Sequence, residues 1–259
     1  MISGEPTAII TGGATSIGAE IVRTFAAAGY RVAIADIAVT QGEELAQAIG
    51  QRACFLATDL AVDADIARCV SRTVATFGKI SAIIHAACSY VDGGNSASRE
   101  DWRRSLDVNL VGAALLVREA QPYLVAPGGS IVLIGSISAK IGQAGRWVYP
   151  ASKAALLQLA RSMALDLASS GIRVNSLSPG KTWSVPLQRK HASDRPRADA
   201  VEGAFHALGR LGDPAEIARA ALFLCSDAAS FITGTDLAVD GGYSAMGPER
   251  MEVQSPRPS

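Results

Sequence analysis

Tyr149 and Lys153 stand four positions apart in a stretch of helical periodicity, so both side chains leave one helix face, one turn from each other. With five Tyr and five Lys in the chain, about 0.1 such Tyr-x-x-x-Lys pairs arise by chance, so the pair alone is only suggestive. Ser136 follows the apolar run Ser130-Ile131-Val132-Leu133-Ile134, which puts it at the carboxyl edge of a strand, where open parallel sheets bind ligands. Asn109 opens a helical pattern predicted over 109–124 and faces the same edge. Near the amino terminus, Thr11-Gly12-Gly13-Ala14-Thr15-Ser16-Ile17-Gly18 joins a strand to a helix. Glycines in such a turn let backbone amides approach a pyrophosphate, and the helix behind them offers unpaired N–H groups and the positive end of its dipole. Asp36, eighteen residues past Gly18, ends the second strand. A carboxylate there accepts hydrogen bonds from both hydroxyls of an adenosine ribose and repels a 2′-phosphate. Asp59-Leu60 has two readings: a contact to the adenine amino group, or a turn ahead of the helix whose N-terminus Asp63 serves.

The elements that must hold these residues alternate along the chain. Strand-like runs are predicted at 7–10, 31–35, 53–56, 82–84, 130–134, 172–177 and 236–239, with apolar residues at three-to-four spacing over 17–28, 40–49, 63–77, 109–124, 149–168 and 214–226. This is the signature of βαβ units, whose right-handed crossovers bury both faces of a parallel sheet and give a three-layer α/β/α domain. No Pro/Ser-rich linker divides the chain, so one dinucleotide-binding and catalytic domain is expected over 1–246, with a tail at 247–259. The stretch 181–211 is longer than an ordinary connection and is expected to be an irregular substrate lid. Its Arg189, Lys190, His191, Arg195 and Arg197 face Asp194 and Asp199, either as a solvated helix face or as an anion pocket. Trp147, Trp183 and Phe205 either line an apolar pocket or cover the core.

Composition excludes several function classes. Lysine and arginine total 24 against 24 aspartate and glutamate, so no chain-wide basic field exists for nucleic acid or an anionic membrane. With 49% hydrophobic and 19% charged residues over 259 positions, the chain can bury a large core. No apolar run approaches the ~20 residues of a transmembrane helix, and Met1 to Pro6 lacks the pattern of a signal peptide. Cys54, Cys69, Cys88 and Cys225 are scattered without Cys-x-x-Cys or a nearby His pair, so no metal site is expected, and reduced thiols point to a cytoplasmic location.

Taken together, the Thr11 to Gly18 loop, Asp59-Leu60, Asn109-Leu110-Val111-Gly112, Ser136, Tyr149-Pro150-Ala151-Ser152-Lys153, Pro179-Gly180, Thr233-Gly234 and Val239-Asp240-Gly241-Gly242 resemble the short-chain dehydrogenase/reductase family over about residues 5–246. The resemblance implies a Rossmann-type domain with a seven-stranded parallel sheet, a nicotinamide cofactor, a homotetramer or homodimer, and a Ser136-Tyr149-Lys153-Asn109 tetrad. Two departures stand out. Ser16 replaces a glycine of the phosphate loop, and His85-Ala86-Ala87-Cys88 replaces Asn-Asn-Ala-Gly after the fourth strand. That leaves backbone contacts from Ala86 and Ala87 to the adenosine ribose, with His85 as a polar core residue in place of an amide brace.

In the tetrad so implied, Tyr149 exchanges a proton with the substrate oxygen. Bringing a phenol from about 10 to near 7 takes about 4 kcal/mol of differential stabilisation, for which Lys153 and the nicotinamide ring are the sources. Lys153 also binds the nicotinamide ribose, Ser136 polarises the reacting oxygen, and Asn109 positions a water linking Lys153 to solvent. The cofactor contacts expected are Gly12, Thr15, Ser16, Ile17, Gly18, Asp36, Asp59, Leu60, Ala86, Ala87, Tyr149, Lys153, Pro179, Gly180, Thr182 and Ser184. Asp36 makes the cofactor NAD. The expected activity is an NAD-dependent interconversion of a secondary alcohol and a ketone on a small molecule; the rivals are an NADPH-dependent ketone reductase and a non-catalytic dinucleotide-binding scaffold.

Overall fold

Seven parallel strands run β3-β2-β1-β4-β5-β6-β7 in a computed structural model that describes residues 5–125 and 128–247. They are β1 (Thr7–Thr11), β2 (Arg31–Asp36), β3 (Ala53–Ala57), β4 (Ala82–His85), β5 (Ser130–Ile134), β6 (Arg173–Pro179) and β7 (Asp236–Val239). The chain builds outward from β1 to β3, then returns so that β4 pairs with the other side of β1, Thr11 opposite His85. Strand order reverses there, and connections leaving β1 and β4 in opposite directions open a crevice at their carboxyl ends. The expected tail lies outside the described residues from 248 onward, as do residues 1–4.

Alternate residues along each strand serve opposite faces of the sheet. Ile9, Ile83, Ile131, Leu133 and Val174 pack on one side with α3 (Asp63–Phe77), α5 (Gly112–Ala120) and α6 (Val148–Ala168). Ile10, Ile34, Ile84, Val132 and Leu177 pack on the other with α1 (Ser16–Ala27), α2 (Val39–Ile49) and α9 (Pro214–Cys225). Burial on both faces is why the strands read as continuous apolar runs rather than as alternating ones. Among the described residues, no helix is long and apolar enough to cross a membrane.

Two helical expectations change. The helix expected over 109–124 starts at Arg99: α4 (Arg99–Leu106) opens on a capping box in which Ser98 Oγ accepts from Asp101 N (3.1 Å) and Asp101 accepts from Ser98 N (2.8 Å). A π-helical turn, Asp107–Val111, carries it into α5, so Asn109 sits in mid-helix rather than at a helix start. The stretch 181–211, expected as an irregular lid, is largely helical. It holds α7 (Val185–Lys190) and α8 (Arg195–Glu202), joined by a tight turn in which Ala192 and Ser193 take left-handed φ values of 50° and 61°.

Inside the lid Glu202 is buried, accepting from Lys181, from Lys190 (2.6 Å) and bonding His191 (3.0 Å). Burial opposes its charge, but these partners outweigh that and bring its pKa down to about 2. Arg195 pairs with Asp199 (2.8 Å) and Asp213 (2.6 Å), and Asp194 caps α8 through Arg197 N (3.0 Å). Most of the lid charges therefore hold the lid to itself.

Candidate active site

A cavity of about 970 Å³ runs along the carboxyl edge of the sheet. Every residue expected to contact cofactor lines it, together with Ser136. Asn109 does not.

At one end lies the phosphate loop. Gly12 has φ +64°, and a Cβ there would come within 2.6 Å of Ala87 Cα; a Cβ on Gly18 would meet Gly12 O at 1.9 Å. Only glycines let these three backbone segments close together. Thr15 makes no side-chain cap on α1, and no acidic residue occupies the first turn, so the leading amides and the positive dipole end stay available to an anion. Ser16 has a left-handed φ of 54°, a region that favours glycine, and its Oγ accepts from Val185 N at 3.4 Å.

The carboxylate of Asp36 ties this loop to β2. Its Oδ2 accepts from Ala14 N (2.9 Å) and its Oδ1 from Ala38 N (3.0 Å), with the group still on the cavity wall. Asp59 takes part in the turn through Ala61 N (3.0 Å), also lies on the cavity wall, and pairs with Arg104 at 3.5 Å. Ala86 and Ala87 donate their amides to Thr11 O (3.1 Å) and Thr11 Oγ1 (3.3 Å). His85 is fully buried with Nδ1 at 3.1 Å from Thr11 Oγ1. Burial, with the charge of Lys153 beside it, lowers its pKa to about 3, so it braces the sheet as a neutral ring.

At the other end Ser136, Tyr149 and Lys153 come together. Ser136 follows β5 and accepts from Ser138 N (3.1 Å), while Lys153, almost wholly buried, donates to Ile134 O (2.8 Å). The Tyr149 phenol stacks on Tyr90 at 5.4 Å between centroids. Burial pushes its pKa above the ordinary value, Cys88 and Tyr90 add to this, and Ser136 and Arg146 pull it down. Pro179, Gly180, Thr182 and Ser184 line the facing wall, and Thr182 Oγ1 donates to Gly180 O (3.2 Å).

The side chain of Asn109 is bonded to three serines behind this wall. Its Oδ1 accepts from Ser89 N (2.7 Å), and its Nδ2 donates to Ser89 O (3.0 Å), Ser105 Oγ (3.2 Å) and Ser152 Oγ (3.0 Å). These bonds brace the segment after β4 against α6. Trp147, Trp183 and Phe205 lie off the cavity, and its aromatic walls are Tyr90 and Tyr149.

Sequence reasoning misses Asp92. Its carboxylate accepts from Gly94 N (3.1 Å), Trp147 N (3.0 Å) and Val148 N (3.4 Å) on Oδ1 and from Tyr149 N (3.1 Å) on Oδ2. Burial works against its charge, but the four amides hold its carboxyl below the usual carboxylate range. The one trace in the sequence is that α6 opens on Trp147, which cannot cap a helix.

The cavity fits a dinucleotide. The glycine cradle and free amides suit a pyrophosphate, Asp36 lies on the cavity wall at the end of β2, and the wall also carries a phenol, a hydroxyl and an ammonium. Comparison with known proteins agrees. A family model described as enoyl-(acyl carrier protein) reductase, adh_short_C2, matches residues 12–244. The chain is 36% identical to L-fucose dehydrogenase of Mus musculus (90% of this chain, 86% of that one). It is 37% identical to cis-4-hydroxycyclohexanecarboxylate dehydrogenase of Sinomonas cyclohexanicum (93% and 98%). Against 2,5-dichloro-2,5-cyclohexadiene-1,4-diol dehydrogenase of Sphingobium indicum it is 36% identical (95% and 99%). The crystal structure of gox2181 superposes with a TM-score of 0.84 at 28% identity, covering 93% of this chain and 96% of that one.

Proposed function

We propose that this chain, which belongs to the short-chain dehydrogenase/reductase family, is an NAD-dependent dehydrogenase that converts a secondary alcohol on a small ring molecule to the ketone. Membership makes it an oxidoreductase of CH–OH groups that uses a nicotinamide dinucleotide. The observation that carries the finer reading is the meeting of Ser136, Tyr149 and Lys153 at one end of a cavity whose other end is governed by Asp36. A carboxylate at the end of β2, followed by Ile37 and Ala38 rather than by a basic residue, favours the two ribose hydroxyls of NAD over a 2′-phosphate. The ring preference is supported by two relatives whose names place the alcohol on a cyclohexane or cyclohexadiene ring.

When bound, the nicotinamide supplies the acceptor for the hydride that leaves the carbinol carbon. The chain's own groups do the rest. Ser136 hydrogen-bonds the substrate oxygen, Tyr149 as phenolate takes its proton, and Lys153 holds the nicotinamide ribose while its charge favours the phenolate. The reading includes a cytoplasmic location, supported by four free cysteines. It also includes assembly into a homotetramer or homodimer, supported by Leu165 exposed on α6 and Phe231 exposed just before the edge strand β7. A monomer by light scattering at micromolar concentration refutes the assembly.

Tyr149→Phe tests the chemistry. It removes one hydroxyl and leaves the ring, Lys153 and the cradle, so NAD affinity by calorimetry should stay within a few-fold. Turnover of ring alcohols should fall ~10²–10⁴-fold. Parental turnover with intact NAD binding gives the proton to another acceptor, whereas a parent that binds NAD and oxidises no alcohol returns the protein to the scaffold reading.

A further inference from the structure

Arg146 has no assigned part in the reaction, yet it is closer to the Tyr149 ring than Lys153 is. Its guanidinium carbon lies 4.7 Å from the ring centroid, against 5.9 Å for Lys153 Nζ. Both fall within the ~6 Å over which a cation and an aromatic face attract. Arg146 is also on the cavity wall, with its side chain 39% exposed.

Two restraints keep it there. Arg146 immediately precedes Trp147, whose amide is bound to Asp92, and its Nε is 3.7 Å from Oδ2 of that same carboxylate. That oxygen also accepts from Tyr149 N (3.1 Å), so one carboxylate, its side chain 5% exposed, fixes the Tyr149 backbone and the cation beside the Tyr149 ring together. A freely solvated arginine would lack this common anchor. We propose that Arg146, held by Asp92, is a positioning residue for Tyr149, supplying a second cation besides Lys153 that steadies the ring and favours its phenolate. The proposal rests on the reading of Tyr149 as the proton-accepting group.

The groups facing Tyr149 make a second cation useful. Cys88, Tyr90 and Asp92 come from the segment after β4, Ser136 from the end of β5, and Arg146 and Lys153 from around the start of α6. Burial, Cys88 and Tyr90 oppose ionisation, and Asp92 brings a negative charge to the Tyr149 amide. Ser136, Arg146 and Lys153 are the groups on the other side. Arg146 is partly exposed, so solvent screens it and its effect is smaller than that of a buried charge.

The test is the pH profile of kcat/KM in the full chain, with NAD and the best ring alcohol, for the parent, R146Q, R146K and Y149F. In R146Q the acidic limb should move up by about 0.5–1 pH unit, lowering kcat/KM below that limb about 3–10-fold and converging with the parent at high pH. R146K keeps the charge and should recover at least half of the shift. A titration of tyrosinate absorbance, taken as the difference from Y149F in each background, should move by the same amount and requires no turnover. The proposal is overturned if the R146Q profile superimposes on the parent, or if R146K shifts as far as R146Q, which assigns the effect to packing. Parental activity in Y149F is a separate result: it removes Tyr149 as proton acceptor and takes the role of Arg146 with it.

Discussion

Replacing Asp36 by alanine should turn the chain from NAD toward NADP and loosen the phosphate loop at the same time. The first effect comes from the ribose site. The variant loses a charged acceptor for the two adenosine hydroxyls and the repulsion that a carboxylate exerts on a 2′-phosphate. Together these move the preference by on the order of 1.5–3 kcal/mol, or about 10- to 150-fold in the ratio of kcat/KM values. The second effect is particular to this structure, because Asp36 also accepts from Ala14 N at 2.9 Å and Ala38 N at 3.0 Å. Losing an ionised acceptor for a buried loop amide costs about 1–3 kcal/mol, so the midpoint of urea unfolding should drop with m unchanged. Steady-state kinetics with both cofactors, beside urea melts of the same preparations, separates the two effects. Asp36→Asn keeps one acceptor oxygen and should lose less stability than Asp36→Ala while still relaxing cofactor choice. If the parent uses both cofactors equally well, or if Asp36→Ala leaves the ratio unchanged, the role given to this carboxylate is wrong.

Other perturbations probe the supports of the site. Asp92→Ala strands three amides at the start of α6 and that of Gly94, and should cost about 2–3 kcal/mol in urea unfolding, with Asp92→Asn recovering part of it; equal stability of parent and Asp92→Ala would show that water caps the helix instead. Ser16→Gly relieves a left-handed φ of 54° and removes the acceptor for Val185 N. The protein should gain about 0.5–1 kcal/mol while substrate KM rises, and a loss of stability would contradict the strain. The folded pKa of Glu202, about 2, lies below its ordinary 4.5. Its stabilisation is therefore complete above about pH 4.5 and lost as pH falls through 2, so the urea-midpoint gap between parent and Glu202→Gln should shrink across that window. A gap independent of pH would place the stabilisation outside the charge of Glu202.

The layered sheet was readable from the chain because each of its parts is a local pattern. All seven strands fall where β-rich runs were expected, and 63–77 matches α3 at both ends, Gly78 following its last turn with φ +85°. The phosphate loop, Asp36 and the Tyr149–Lys153 turn were legible for the same reason: each works through a few consecutive residues or one helical repeat. What the tertiary structure alone decided involves groups far apart in sequence. The helix over Arg99–Leu106 was hidden because Arg99-Glu100-Asp101-Trp102-Arg103-Arg104 is too polar to show an apolar stripe, and packing against its neighbours gives it the stability that pattern does not announce. Asn109 reads as a group opening onto the site, yet it lies off the cavity wall with its side chain bonded to Ser89, Ser105 and Ser152. Asp92 caps a helix that begins more than fifty residues later. A polar side chain has several possible partners, and only the folded chain determines which are near enough to satisfy it once water is excluded.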